Sequence, residues 1–374
     1  MKKIIVIFIL CILLLTACSG NEPSGQNTAT PGTTANNNTT SEQPATQGTQ
    51  SGSTATAEPS AKVSDYFPLT ADVHMKYKGT GNEYAAYDTN VDFIRGDKIQ
   101  IRENNGGTEA VTVYAVRDGA LVSLYSRGET YYKYDYTATT NGEDILLKEP
   151  FVTGTSWTAK DGSQRSITAV DKQVETPAGS FTAIEVTTTR KDSIIKDYYA
   201  KGTGLVKSEF ISGDASITVK SELEKVEKDV PFKQTINLYF PQFNKDRIIY
   251  MQREIEIKTN EDIKYKFQKE LKTIPESGGL SKALTKNTQI LGISLDDEKD
   301  TVTVDLSSDF IKEMNAGTTL ESMLVNSITN TFGSYYMKGK VVITIDGKPY
   351  ESGHILMKPG EAFTVKTEGI AEYK

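Results

Sequence analysis

The chain has 374 residues, with 42 Lys and Arg against 49 Asp and Glu and a formal net charge of −7. That length accommodates two domains. The acidic balance argues against a nucleic-acid partner, which calls for a cationic face, and against tight electrostatic adhesion to anionic lipid.

The chain opens with Lys2 and Lys3, an unbroken apolar run over residues 4–15, then Thr16, Ala17 and Cys18. The run is too short to cross a bilayer as a helix, which takes about 20 residues. It has the make-up of a secretory signal core. Leu15-Thr16-Ala17-Cys18 resembles the bacterial lipobox. The resemblance implies a signal peptide over residues 1–17, cleavage between Ala17 and Cys18, and a lipid such as palmitate on Cys18. The membrane is then a partner through that lipid, on the extracytoplasmic face of the cell membrane. The competing reading is an ordinary signal with a chance cysteine. The other cysteine, Cys11, lies inside the signal. Disulfides, thiolate metal sites and cysteine nucleophiles are therefore excluded from the folded part.

With Cys18, residues 18–62 form an anchored tether. From residue 19 the stretch is dominated by Thr, Ser, Asn, Gln, Gly, Ala and Pro, with no aromatic residue and no Val, Ile, Leu or Met. It cannot bury apolar surface to offset its conformational entropy, so disorder is expected. A flexible tether of this length spans roughly 35–40 Å and stretches to on the order of 150 Å.

Residues 63–228 are expected to form an antiparallel all-β domain. Short alternating runs at 91–94, 98–101, 111–114 and 121–125 are separated by turns at 95–97, 105–107 and 117–119. Trp157 follows Gly154-Thr155-Ser156, and further runs cover 166–170, 183–186 and 197–206. The strings TPAGSF at 176–181 and YYAKGTGLVK at 198–207 resemble a group of bacterial secreted β-domains. That resemblance implies a curved sheet or half-barrel like that of lipoprotein carriers. Tyr131, Tyr132, Tyr134 and Tyr136 are crowded together. They read either as an aromatic binding surface for a sugar or peptide or as strand formers on a half-buried face.

A charged connector and Pro231 lead into a second domain over residues 232–366, with mixed helix and strand. Strands are expected at 235–240 and 248–257. Asn260 is expected to cap a helix whose Ile263, Phe267 and Leu271 share one face. A hairpin spans 289–306, with arms at 290–295 and 301–306. A second helix spans 319–335, with a stripe of Leu320, Leu324, Ile328 and Phe332. Strands at 340–345 and 348–350 turn at Asp346-Gly347. The strings INLYFPQFN, ILGISLDDEKDTVTVDLSSDF, ESMLVNSITNTF and VVITIDGKPYESGHI, in that order, resemble one GerMN domain, the sporulation and spore germination domain of bacterial lipoproteins. The resemblance covers nearly all of residues 235–357. It implies an α+β fold with two helices packed on a sheet, an envelope location, and assembly rather than catalysis. The family's acidic segment ahead of the first helix is replaced here by Gln252-Arg253-Glu254-Ile255.

Chemistry has few footholds. The two histidines are His74 and His354. A histidine relay would need a nucleophile and a carboxylate brought to one of them. Asp296, Asp297, Glu298 and Asp300 crowd a hairpin tip and could offer oxygen ligands to a hard cation. Their spacing matches no calcium loop and Lys299 interrupts them, so a solvated turn is expected. Gly278-Gly279 is too short to cradle a phosphate. The expectation is a non-enzymatic envelope lipoprotein, without cofactor or metal, whose partner is an envelope protein or peptidoglycan. The alternatives are a carrier of lipid or another hydrophobic ligand, with an apolar cavity in residues 63–228, and a cell-wall hydrolase with two carboxylates across a cleft.

Overall fold

Alternation of apolar and polar residues builds strands through nearly all of the first half. The computed structural model describes residues 61–275 and 278–373. Ala17, Cys18 and the rest of the leader and tether up to residue 60 lie outside the described residues. A short helix, α1 (Val63–Tyr66), comes first. The strands β1 (Val73–Thr80), β2 (Tyr87–Arg95), β3 (Lys98–Asn104), β4 (Glu109–Arg117), β5 (Ala120–Arg127) and β6 (Asp144–Lys148) then form one arm. The other arm is β7 (Ser156–Thr158), β8 (Gln164–Thr176), β9 (Gly179–Arg190), β10 (Ser193–Ala200), β11 (Gly204–Ser212) and β12 (Thr218–Lys228).

All twelve belong to one sheet, in the order β6-β5-β4-β3-β2-β1-β12-β11-β10-β9-β8-β7. The chain walks out along one arm and returns along the other, so consecutive strands β6 and β7 sit at opposite edges. Flat, a sheet of that size would hold its edges roughly 50 Å apart. The connector over residues 149–155 reaches at most about 25 Å. The sheet must therefore curl until its edges meet.

Side chains close the seam. Trp157 Nε1 donates to the Ile145 carbonyl at 2.8 Å. Arg165 grips the Asp144 carboxylate at 2.8 and 2.9 Å. The Lys160 amide donates to the same carboxylate at 2.9 Å. The curved antiparallel sheet expected from the sequence is thus present.

Inside the curl, Leu121, Leu147, Trp157, Ile167, Ile184, Val186 and Tyr199 form an apolar cluster around Val63 of α1. The Val63 amide is held by Glu149 Oε1 at 2.7 Å. Phe67 lies against Tyr114 and Tyr66 against Phe151. The space an apolar ligand would occupy at this end is filled by the chain's own α1 and the residue after it.

In the second half, β13 (Phe232–Gln242) pairs along its whole length with β14 (Arg247–Ile257). A further sheet holds β15 (Ile290–Asp296), β16 (Thr301–Leu306), β17 (Lys340–Ile345) and β18 (Lys348–Pro349), with β19 (Phe363–Thr364) also on β17. The last strand, β20 (Ala371–Glu372), runs parallel on β14. Strands β16 and β17 are parallel, so a crossover must join them. Helices α3 (Asp309–Met314) and α4 (Thr318–Tyr336) supply it, numbered after α2 (Lys264–Glu270). The expected helical faces are present: Ile263, Phe267, Leu271, Leu324, Ile328 and Phe332 are all buried.

The expected cap is not. Asn260 has a left-handed backbone (φ 66°), which asparagine tolerates. Its side-chain oxygen accepts from the Ile94 amide of β2 at 2.8 Å, so it serves the first sheet. Instead, Asp262 Oδ1 accepts from the Lys264 amide at 3.0 Å at the start of α2.

Residues 62–374 form one compact unit. One buried cluster takes Val111, Val113, Val122 and Tyr132 from the first half together with Phe240, Phe267, Val304 and Phe332 from the second. A shared core predicts a single unfolding transition. Phe332→Ala should lower stability by about 3–5 kcal/mol in chemical denaturation. The fluorescence of Trp157, which sits in the other half, should report the same shift as circular dichroism. A Trp157 transition left unmoved would mean that the two halves unfold separately.

Candidate functional site

Two places concentrate chemistry: the junction between the halves and a hollow in the second half. At the junction, a bulge in β2 between Val91 and Phe93 carries Asp92, which is 1% exposed and aimed at Arg102 of β3, also 1% exposed. Arg102 Nη2 donates to Asp92 Oδ2 at 3.0 Å and to the Tyr132 carbonyl at 2.7 Å. Its Nη1 donates to Glu109 Oε2 at 2.9 Å and to the Thr130 carbonyl. Gln100, two residues earlier on the same strand, donates to Asp92 and to the Tyr134 carbonyl, and accepts from the Tyr136 amide. Strand β3 therefore grips three alternate carbonyls, those of Thr130, Tyr132 and Tyr134, in the connector between β5 and β6.

That grip corrects the reading of the four tyrosines. Tyr132 and Tyr136 are buried, their hydroxyls 3.1 Å apart. Tyr136 stacks on Tyr125, and Tyr132 meets Tyr336 edge-on. Tyr134 is half-buried, and only Tyr131 reaches the surface, with its hydroxyl on Glu129 at 2.6 Å. They form no strand, and with two of the four buried they do not share one open aromatic face. Their alternation arises because β3 side chains hold the backbone between them.

Between these tyrosines, buried Lys133 points to the second half. Its Nζ donates to the Lys258 carbonyl at 2.8 Å and lies 4.8 Å over the Phe93 ring. Burial pulls this ammonium down to about 8. The Lys133 amide donates to Tyr335 Oη of α4, which donates to Gln234 of β13, which donates back to the Tyr131 carbonyl. No motif in the sequence marks Asp92, Arg102 or Lys133. For Asp92 and Arg102 the one local signal is charge within otherwise apolar-patterned strands, and Lys133 has none.

The acidic hairpin tip is exposed, as expected of a solvated turn, and it also serves as a latch. Asp297 accepts from Arg127 of β5 and from Lys338, which follows α4. Those cations, Arg127 foremost, hold its carboxyl down to about 2. Asp296 pairs with Lys299 at 2.7 Å, and Asp300 accepts from the Gly339 amide at 3.0 Å. Among the described residues no group of His, Cys, Asp and Glu could hold a metal ion. His74 sits between Glu227 and Asp88 at 3.1 and 3.5 Å. The amide of exposed His354 donates to Ser352 Oγ at 3.1 Å, which shapes the turn.

The hollow lies where the loop over residues 281–286 crosses α3 and the start of α4. It measures about 300 Å³, the lower end for ligand sites. Ala283, Leu284, Phe310 and Leu324 form a buried floor, and half-buried Met314 and Leu320 form the walls. Lys282, Lys286 and Glu313 stand at the rim. Glu313 is already engaged by the amide and side chain of Asn287. Beneath α4, buried Glu321 accepts from the Tyr350 hydroxyl at 2.8 Å. A second hollow of about 480 Å³, beside Pro231 and Lys258, is lined by charges matched to one another, such as Lys266 with Glu261 at 2.7 Å.

Next to Arg102, on the opposite face of β3, Glu103 has no such complement. Burial, with the charge of Asp88, pushes its carboxyl up to about 7. The folded state then holds a proton there between about pH 4.3, the ordinary value, and about 7 that the unfolded chain has lost. Stability must therefore fall as pH rises through that window. Glu103→Gln should be more stable than the parent at pH 7.5, with the gain vanishing by pH 4, in denaturation curves taken across the range. A gain that persists at pH 4 would refute this assignment.

Comparison with known proteins bears on the second half. Residues 237–351 match the family described as Germane, sporulation and spore germination. The matched segment contains the hollow and the acidic hairpin tip, but not Arg127. Among solved structures, the tandem GerMN domains of the sporulation protein GerM from Bacillus subtilis are 16% identical, with a TM-score of 0.27 over 38% of this chain and 48% of that one. An inferred lipoprotein from Parabacteroides distasonis is 13% identical, with a TM-score of 0.29 over 43% of this chain and 98% of that one. An inferred exported protein with a YmcC-like fold from Bacteroides fragilis is 14% identical, with a TM-score of 0.29 over 44% and 99%. The chain finds no match among curated proteins. No helix among the described residues is long and apolar enough to cross a membrane. The resemblance seen in the sequence is borne out over its central part: residues 237–351 are similar to the sporulation and spore germination family.

Proposed function

We propose that this protein is a bacterial lipoprotein, held by a lipid on Cys18 at the extracytoplasmic face of the membrane. There it serves as a non-catalytic binding component of the cell envelope in sporulation or germination. The match of residues 237–351 to the sporulation and spore germination family carries the reading. The leader ending in Leu15-Thr16-Ala17-Cys18 supports the compartment. The tether gives the folded unit a reach of a few tens of ångströms from the anchor.

The partner is an envelope protein, met through the second half. The carrier alternative is disfavoured by α1, which occupies the apolar end of the curled sheet. The test is a Cys18→Ala variant expressed in the producing bacterium. It should leave the membrane fraction, keep the parent's circular dichroism and denaturation curve, and fail to restore sporulation or germination in a deletion strain. A variant that stays membrane-bound, or that complements fully, would overturn the anchored reading. Cross-linking in intact cells should capture an envelope protein on the parent; capture of none would overturn the assembly role.

A further inference from the structure

The hollow between the loop over residues 281–286, α3 and α4 combines an apolar lining with a rim of net positive charge. In the lining, Met314 and Leu320 are half-buried around a floor of fully buried aliphatic and aromatic side chains. On the rim, Lys282 and Lys286 are exposed and take part in no ion pair among the described residues, although Lys286 is close enough to act on the charge of Glu313 across the rim. The nearest rim acid, Glu313, is already held by Asn287. A third lysine, Lys272, donates to the Lys286 carbonyl and so fixes the loop that carries the pair. In a chain with a net charge of −7, two lysines against one carboxylate beside an apolar floor are a local reversal of sign.

Resting on the assembly role above, we propose that this hollow is the partner site, and that its occupant is an acidic segment of a partner protein. An aliphatic or aromatic side chain of that segment enters the floor, and flanking carboxylates pair with Lys282 and Lys286. Charge complementarity selects the sign of the partner. The volume admits one or two side chains, and Met314 can adjust to the shape of the anchor. A glycan strand fits poorly, because Phe310 is wholly buried and offers no open ring face for a sugar. The chain's own residues 19–60 cannot be the occupant, because they contain acids but no aliphatic residue larger than alanine and no aromatic one.

The test uses the full-length protein in detergent and a fluorescein-labelled peptide with Leu-Phe flanked on each side by two glutamates. Anisotropy should show saturable binding that weakens with salt. Replacing the peptide's Leu-Phe by Ser-Ser should abolish it. The double variant Lys282→Glu with Lys286→Glu changes only exposed side chains. It should bind this peptide at least about tenfold more weakly and take up a lysine-flanked version in its place. Equal binding by parent and double variant would overturn the proposal, as would displacement by muramyl dipeptide as effective as by unlabelled peptide. Cross-linking in cells separates the two levels. If the double variant captures the same envelope protein as the parent, the hollow is idle and the assembly role stands. If the parent captures none, both fall.

Discussion

The guanidinium of Arg102 is the group on which both halves depend. Burying an arginine costs several kcal/mol unless its donors are matched. Here two carboxylates and two backbone carbonyls match them. The carbonyls belong to the connector between β5 and β6, so matching the charge also fixes a segment that has no ladder of its own. A lysine could not do this, because its point charge lacks the planar fork that serves a carboxylate and carbonyls together. Once the connector is fixed, Lys133 and Tyr132 stand where Lys258, Tyr335 and Tyr336 of the second half can meet them. Arg102 itself lies over the ring of Phe232, the first residue of β13. The junction is thus a consequence of electrostatic matching in the first sheet, and the shared apolar core forms around it.

The same economy of side chains manages the sheet edges. An unpaired edge strand invites aggregation, and this sheet has two, β6 and β7. The short connector between them forces the curl, and Asp144, Trp157 and Arg165 satisfy the facing groups without a continuous ladder. Closure by side chains leaves the interior to α1, whose first residue is tied to Glu149 just beyond β6. The first half therefore reads as a scaffold that is filled and sealed, and this shifts the weight of recognition to the second half.

Local pattern made much of this legible. Strand alternation, the two helical stripes and the hairpin at 289–306 depend on neighbours a few residues apart, and they stand where periodicity placed them. What could not be read depends on distant partners. Asn260 looked like a helix cap because asparagine before an apolar stripe usually is one, but its oxygen serves Ile94. The tyrosines looked like a face because their spacing is that of a strand, but the spacing belongs to the grip of β3 on their carbonyls. The acids at the hairpin tip are exposed as expected, but the pairing of Asp297 with Arg127, 170 positions away in the chain, has no local signal. The hollow draws on a loop and two helices, none of which carries a motif.

The long-range pairs also bear on function, because much of the charge in this chain is matched internally: Asp92 by Arg102, Asp144 by Arg165, Asp297 by Arg127 and Lys338. A carboxylate already paired in a half-buried site has little left to offer a partner, since breaking such a pair leaves an uncompensated charge. The groups able to steer a partner are those the fold leaves outside its ion pairs, and Lys282 and Lys286 stand out because they also border an apolar floor. An acidic protein that binds through a cationic rim repels most acidic neighbours with its overall field and admits those that can also fill the floor. Two conditions met together discriminate better than either alone.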